Sequence, residues 1–188
     1  MMERVSDQPD AAPAAASATA NRVRLLAAIA VAVLVADIIT KTIAVAELEG
    51  REPVRVLGGL IYLQLLRNPG AAFSMATGFT WILSVIAIGV VVVIVRVARR
   101  LRSTGWAVAL GLVLGGALGN LVDRIFRPPG PLQGHVVDMV SPFAPNGEAF
   151  AVFNLADAAI TCGGVLLVLL ALLGHELDGS HAKKTADG

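Results

Sequence analysis

Four long apolar segments constrain this chain more than any other feature. They run from Val23 to Ala46, Trp81 to Val97, Trp106 to Val122 and Ala151 to Leu173. About 20 apolar residues cross a bilayer as a helix, and ~17 is near the lower limit. A helix also satisfies its own backbone hydrogen bonds, which lipid cannot do. Composition agrees: 56% of the 188 residues are hydrophobic and 15% are charged, whereas a soluble domain carries about 25% charged residues. The expected fold class is an all-α membrane protein, a four-transmembrane-helix bundle over residues 23–175.

Charge placement predicts the orientation. Cytoplasmic segments beside a span are enriched in Lys and Arg. Arg22 and Arg24 open the first span, Arg96, Arg99, Arg100 and Arg102 lie between the second and third, and Lys183 and Lys184 follow the fourth. With four spans these regions share one side, so both termini are expected in the cytoplasm. Residues 1–22, rich in Ala, Pro, Ser and Asp, read as a disordered tail, and 176–188 as a second cytoplasmic tail. The first apolar run exceeds the ~7–15 residues of a cleaved signal's apolar core, which marks it as a span. No basic stripe with interleaved aromatics points to nucleic acid. The single cysteine, Cys162, rules out an intramolecular disulfide and a cysteine metal cluster, and in its apolar run it reads as a buried thiol.

Two segments then face outward. In the first, Val54–Val56 and Leu60–Leu66 have strand character interrupted by Gly58 and Gly59. After Pro69 and Gly70, the run Ala71–Ala76 is expected to form a short interfacial helix. The second, residues 124–150, contains one strand candidate, Val136–Val140. The two loops are expected to build a small extracytoplasmic β-sheet that cradles the membrane surface.

Ionisable groups inside a span are expensive and therefore functional candidates. Asp37 and Lys41 stand at i and i+4 on one face of the first span. From Val23, a rise of ~1.5 Å per residue puts Asp37 roughly 20 Å along the helix, in the outer half of the bilayer. The third span ends on Asn120, Asp123 and Arg124, one polar face at its outer end. The small residues Gly115, Gly116, Ala117 and Gly119 before them allow close approach of another helix. Asn154 and Asp157 share a face of the fourth span, with Asp157 on the order of 9 Å below its outer end. Asp138 lies in an apolar patch of the second outward loop, near the start of that span. All of these groups converge on the outer leaflet.

Two carboxylates in a poorly hydrated site share a proton rather than both ionising. The ionised one can take a proton from water while the protonated one activates a carbonyl, the division of labour in aspartic proteases. Arg124 and the asparagines carry donors for peptide carbonyls. A small proton-coupled membrane transporter fits the same residue types. It predicts polar groups throughout the membrane depth, however, and the cytoplasmic halves of the spans are almost uniformly apolar. His135, alone in its loop, reads as a surface residue.

An ordered set of motifs separates these readings: Asp37-x-x-x-Lys41, Arg67-Asn68-Pro69-Gly70-Ala71-Ala72-Phe73-Ser74, Gly119-Asn120-x-x-Asp123-Arg124, Val136-Val137-Asp138 and Phe153-Asn154-x-Ala156-Asp157. Together they closely resemble the lipoprotein signal peptidases, or signal peptidase II, over roughly residues 23–175. The resemblance implies a catalytic pair at Asp138 and Asp157. It implies substrate-holding roles for Asn68 and Arg124, orienting roles for Asp123 and Asn154, and a supporting role for Asn120 and for the pair Asp37 and Lys41. It further implies an aspartic endopeptidase that cleaves diacylglyceryl-modified prolipoproteins on the N-terminal side of the lipidated cysteine. Such an enzyme needs no metal or organic cofactor, works as a monomer and meets its substrate among membrane lipids.

Overall fold

The structure, a computed structural model, describes residues 11–70 and 80–181, with side chains from residue 19. Four helices carry the apolar segments: α1 (Ala11–Leu48), α2 (Thr80–Ala98), α3 (Thr104–Phe126) and α4 (Leu155–Leu172). Each is long and apolar enough to cross a membrane, α1 over Thr19–Leu48. Their outer faces expose Val31, Ile39, Val93, Val165 and Leu169, which lipid solvates without the cost that water would impose. Cys162 is also exposed on α4. Its apolar setting is therefore lipid, not protein core, which corrects the expectation of a buried thiol.

α1 begins at Ala11, inside the stretch expected to be disordered. Alanine is the strongest helix former, and adding residues to an existing helix avoids a new nucleation step, so the Ala-rich run continues the span. Residues 1–10 lie outside the described residues, as does the expected interfacial helix Ala71–Ala76.

α3 is the central helix and packs on the other three. Glycine makes this possible. A Cβ added at Gly119 would stand 2.5 Å from Asp37 Oδ2, and one added at Gly116 would collide with the Ala156 carbonyl. These contacts bring α1 and α4 onto α3 at the level of its polar end. At the opposite end, Leu26, Ala30, Ile94, Ala98, Leu101, Ala107, Leu110 and Leu114 form an apolar core. Residues 175–177 pack across that end. Leu177 O accepts hydrogen bonds from the Arg102 and Ser103 amides at 3.0 and 3.1 Å, and His175 O accepts from Trp106 Nε1 at 2.8 Å.

The segments between α1 and α2 and between α3 and α4 join in one antiparallel sheet, β1 (Val54–Val56), β2 (Ile61–Asn68) and β3 (Val136–Pro142), in that order. The register sets Asn68 opposite Val136 and Leu66 opposite Asp138. β3 is also bonded on its other side. Met139 N and Val140 N donate to Phe153 O, and Phe153 N donates back to Val140 O, all at 2.9–3.1 Å. Residues 151–153 are therefore extended, and α4 starts at Leu155 instead of Ala151. The Pro-rich connection after α3 folds back over that helix. Gly134 N donates to Arg124 O at 3.0 Å, and Ser84 Oγ of α2 donates to Leu132 O at 2.7 Å.

Candidate active site

The start of α4 organises the site. Asn154 is its N-cap: Oδ1 accepts from Asp157 N at 2.9 Å, and Asp157 Oδ2 accepts in return from Asn154 N at 3.2 Å. This reciprocal capping box satisfies two backbone donors that a helix start would otherwise leave unpaired. Asp157 thus sits in the first turn, not several residues inside the span, and faces the positive end of the α4 dipole. The third free amide of this turn, Ala156 N, donates to Asp37 Oδ1 of α1 at 2.9 Å.

With its Oδ1 committed to the helix, the Asn154 amide presents Nδ2 outward. It donates to Asp138 Oδ1 at 2.7 Å. One side chain therefore links the strand carboxylate to the cap of the helix that carries the other. The second oxygen of Asp138 accepts from Asn68 Nδ2 at 2.8 Å, while Asn68 Oδ1 accepts from Gly70 N at 2.8 Å. Gly70 has φ +116°, a conformation natural only to glycine, so the Asn-Pro-Gly turn aims the Asn68 amide. Asp157 Oδ1 accepts from Asn120 Nδ2 at 2.8 Å.

Electrostatics distinguish the strand carboxylate. Asp138 is 1% exposed. Burial pushes its carboxyl from the ordinary 3.8 up to about 6; the nearby Asp157 charge also raises it, and the Asn68 and Asn154 amides act against the rise. Asp138 is thereby able to exchange a proton close to neutral pH.

Below the pair lies a buried ion cluster. Lys41 Nζ meets Asp37 Oδ2 at 2.7 Å and Asp123 Oδ2 at 3.0 Å, and it donates to Asn120 Oδ1 at 3.0 Å. One hydrogen bond and two ion pairs surround the ammonium, all within 3.0 Å. Asp123 Oδ2 also accepts from Val137 N at 3.1 Å, tying the base of β3 to α3. Its Oδ1 pairs with Arg127 Nε. Sequence reasoning does not single out Arg127, although its i, i+4 spacing from Asp123 signals the pair.

Arg124 is 8% exposed, and its Nη1 has no hydrogen-bond partner among the described residues. The guanidinium lies close enough to Asp138 and Asp157 to feel both charges and lines the space beside Gly70. A buried donor left open costs about 1–3 kcal/mol or more when charged, which a carbonyl oxygen of a bound peptide would recover. All nine residues singled out from the sequence therefore meet at one end of the bundle. No hydrogen bond among the described residues links His135 to the two carboxylates.

Fold and site together define a polytopic membrane protein with a pair of amide-linked carboxylates at the sheet-covered end of its bundle. A family model described as signal peptidase (SPase) II matches residues 29–173. Curated relatives called lipoprotein signal peptidase agree over nearly the whole chain. That of Rhodococcus jostii (strain RHA1) is 53% identical over 95% of this chain and 87% of the relative. That of Mycobacterium tuberculosis (strain ATCC 25618 / H37Rv) is 50% identical over 92% and 83%. A solved structure described as a bacterial membrane enzyme determined by the in meso method at 1.9 Å resolution superposes with TM-score 0.66 and 30% identity. It covers 79% of this chain and 92% of its own. The chain belongs to the signal peptidase II family of peptidases.

Proposed function

We propose that the chain removes signal peptides from diacylglyceryl-modified prolipoproteins, cleaving the peptide bond before the lipidated cysteine by aspartic catalysis at Asp138 and Asp157. The observation that carries this reading is the pair itself. Two carboxylates on different elements are joined through Asn154: Asp138 accepts from the Asn68 and Asn154 side-chain amides, and Asp157 from the Asn120 amide and the Asn154 backbone N–H. One carboxylate takes a proton from water as its oxygen attacks the scissile carbonyl carbon, and the protonated partner gives its proton to the carbonyl oxygen. Collapse of the tetrahedral intermediate breaks the C–N bond as a proton passes to the leaving amine. Arg124 Nη1 supplies the donor for a substrate carbonyl, and Asn68, locked between Gly70 and Asp138, positions the acid rather than holding the substrate. The oxygen nucleophile comes from water, so the step requires neither metal nor organic cofactor. A lipid-anchored substrate keeps its scissile bond at the membrane surface, which matches a site at the end of the bundle under the sheet. The Arg96–Arg102 cluster at the opposite end favours a cytoplasmic position there, with the site on the outer face of the cell membrane. The polar cluster is complete within one chain, which favours a monomer.

Cleavage of a lipidated prolipoprotein by the purified protein tests the assignment. Asp157→Asn is expected to lower turnover about 10²- to 10⁴-fold, and Asp138→Asn likewise. Substantial activity in either variant would sink the pair.

A further inference from the structure

Each asparagine of the site has its amide orientation set by an obligatory partner. Asn68 Oδ1 is held by the Gly70 amide and Asn154 Oδ1 by the α4 cap. Asn120 has no such backbone partner. Its Oδ1 is held by the Lys41 ammonium at 3.0 Å, with the Asn154 amide at 3.2 Å as a second donor. Only with Oδ1 turned to those donors does Nδ2 point to Asp157. Lys41 is 1% exposed and ion-paired with Asp37 at 2.7 Å and Asp123 at 3.0 Å, so the ammonium is held against both carboxylates. The three acceptors come from α1 and α3, which fixes the group in space as well as in charge.

We propose that Lys41 is a positioning residue for the catalytic pair: it pins the Asn120 carbonyl oxygen and thereby delivers the Asn120 N–H to Asp157. The inference rests on the peptidase reading above. It gives the buried charges of α1 a task beyond holding helices together. Without the ammonium only the Asn154 amide, at 3.2 Å, holds the Asn120 oxygen, and any flipped fraction sets that oxygen against the Asp157 carboxylate, where two acceptors repel.

A double-mutant cycle on cleavage of a lipidated prolipoprotein, with kcat and KM separated and thermal unfolding followed in the same detergent, tests this. Lys41→Met keeps the aliphatic stem but leaves Asp37 without its cation. Asp37→Asn/Lys41→Met removes one charge of each sign and preserves the Asp123–Arg127 pair. It carries the test if the single variant fails to fold. The expected result is a kcat loss of about 10- to 100-fold, the usual cost of losing an outer partner of a reacting group, with KM unchanged. Adding Asn120→Ala is expected to lower kcat no further. A merely structural lysine would lower the unfolding temperature, and its effect would multiply with that of Asn120→Ala. Multiplying losses, or a loss confined to KM, overturn the inference. Asn120→Asp is a second probe that keeps an acceptor for Lys41 while lacking the N–H for Asp157, and full kcat in it would overturn the inference too. Asp138→Asn and Asp157→Asn run alongside. Activity in those variants defeats the assignment of the catalytic pair on which this inference rests, whereas their inactivity with multiplying Lys41 and Asn120 losses defeats only the role of Lys41.

Discussion

Asp138→Asn is expected to lower cleavage about 10²- to 10⁴-fold and yet to gain stability, relative to the parent chain, as pH rises. Asp138 lies in β3, outside the spanning helices, so unfolding returns its carboxyl to water with the ordinary value of 3.8, whereas in the fold burial raises it to about 6. A raised acid contributes stability that is fully present below the unfolded value and is lost as pH climbs through the folded one. The interval corresponds to about 3 kcal/mol at ~1.4 kcal/mol per tenfold change in proton affinity. Asparagine does not titrate, so the variant escapes this loss. It does pay one fixed penalty: Asn68 and Asn154 aim an N–H at each Asp138 oxygen, and an amide accepts at only one. That mismatch costs about 1–3 kcal/mol at every pH. The variant should therefore be less stable than the parent near pH 4 and equal or more stable near pH 8, the difference moving by about 3 kcal/mol between them. In a thermal scan this is a relative displacement of roughly 6–12 °C for a chain of this size. Purified protein in detergent, unfolded at a series of pH values and followed by circular dichroism, gives the two curves. Curves that run parallel across the range would show that Asp138 does not pay for its burial with its charge, and the proton-exchange role would go with it.

Helix contact offers a cleaner structural test. Gly119→Ala places a methyl 2.5 Å from Asp37 Oδ2, whereas Gly164→Ala meets nothing within 4 Å. The first should cost about 1–3 kcal/mol by overpacking, and the second should be neutral by thermal unfolding; equal effects would contradict the close α1–α3 approach. Asn154→Ala should lose the cap of α4, about 1 kcal/mol, together with the Asp138 donor, and with them most activity. Asn154→Ser restores a capping oxygen but not that donor, so its unfolding temperature should recover further than its cleavage rate. Recovery of both in step would mean that the cap alone matters.

Much of this was legible from residue order. Four apolar runs in a charge-poor chain dictate four helices, because a spanning segment in lipid has no other way to pair its backbone. The sheet-covered ends of those runs collect the buried charges Asp37, Lys41, Asp123 and Arg124, since a buried charge must find a partner and partners occur where the polar faces meet. Asp37 with Lys41, and Asn120 with Asp123 and Arg124, were visible by helical spacing alone. The pairing of Asp138 with Asp157 was not, because it depends on contacts that have no period along the chain. Phe153 bonds to Val140 and so moves the start of α4 to Leu155, placing Asp157 in a first turn instead of deep in a span. Asn154 then joins cap to strand. The same is true of Lys41: spacing ties it to Asp37, but only the approach of α3, permitted by Gly119, brings Asn120 and Asp123 to its remaining protons. Local sequence determined which segments cross the membrane and which groups could not be left alone there. Tertiary packing decided which oxygen each amide faces, because hydrogen-bond direction is settled by the partner across the interface and not by the residue's own helix.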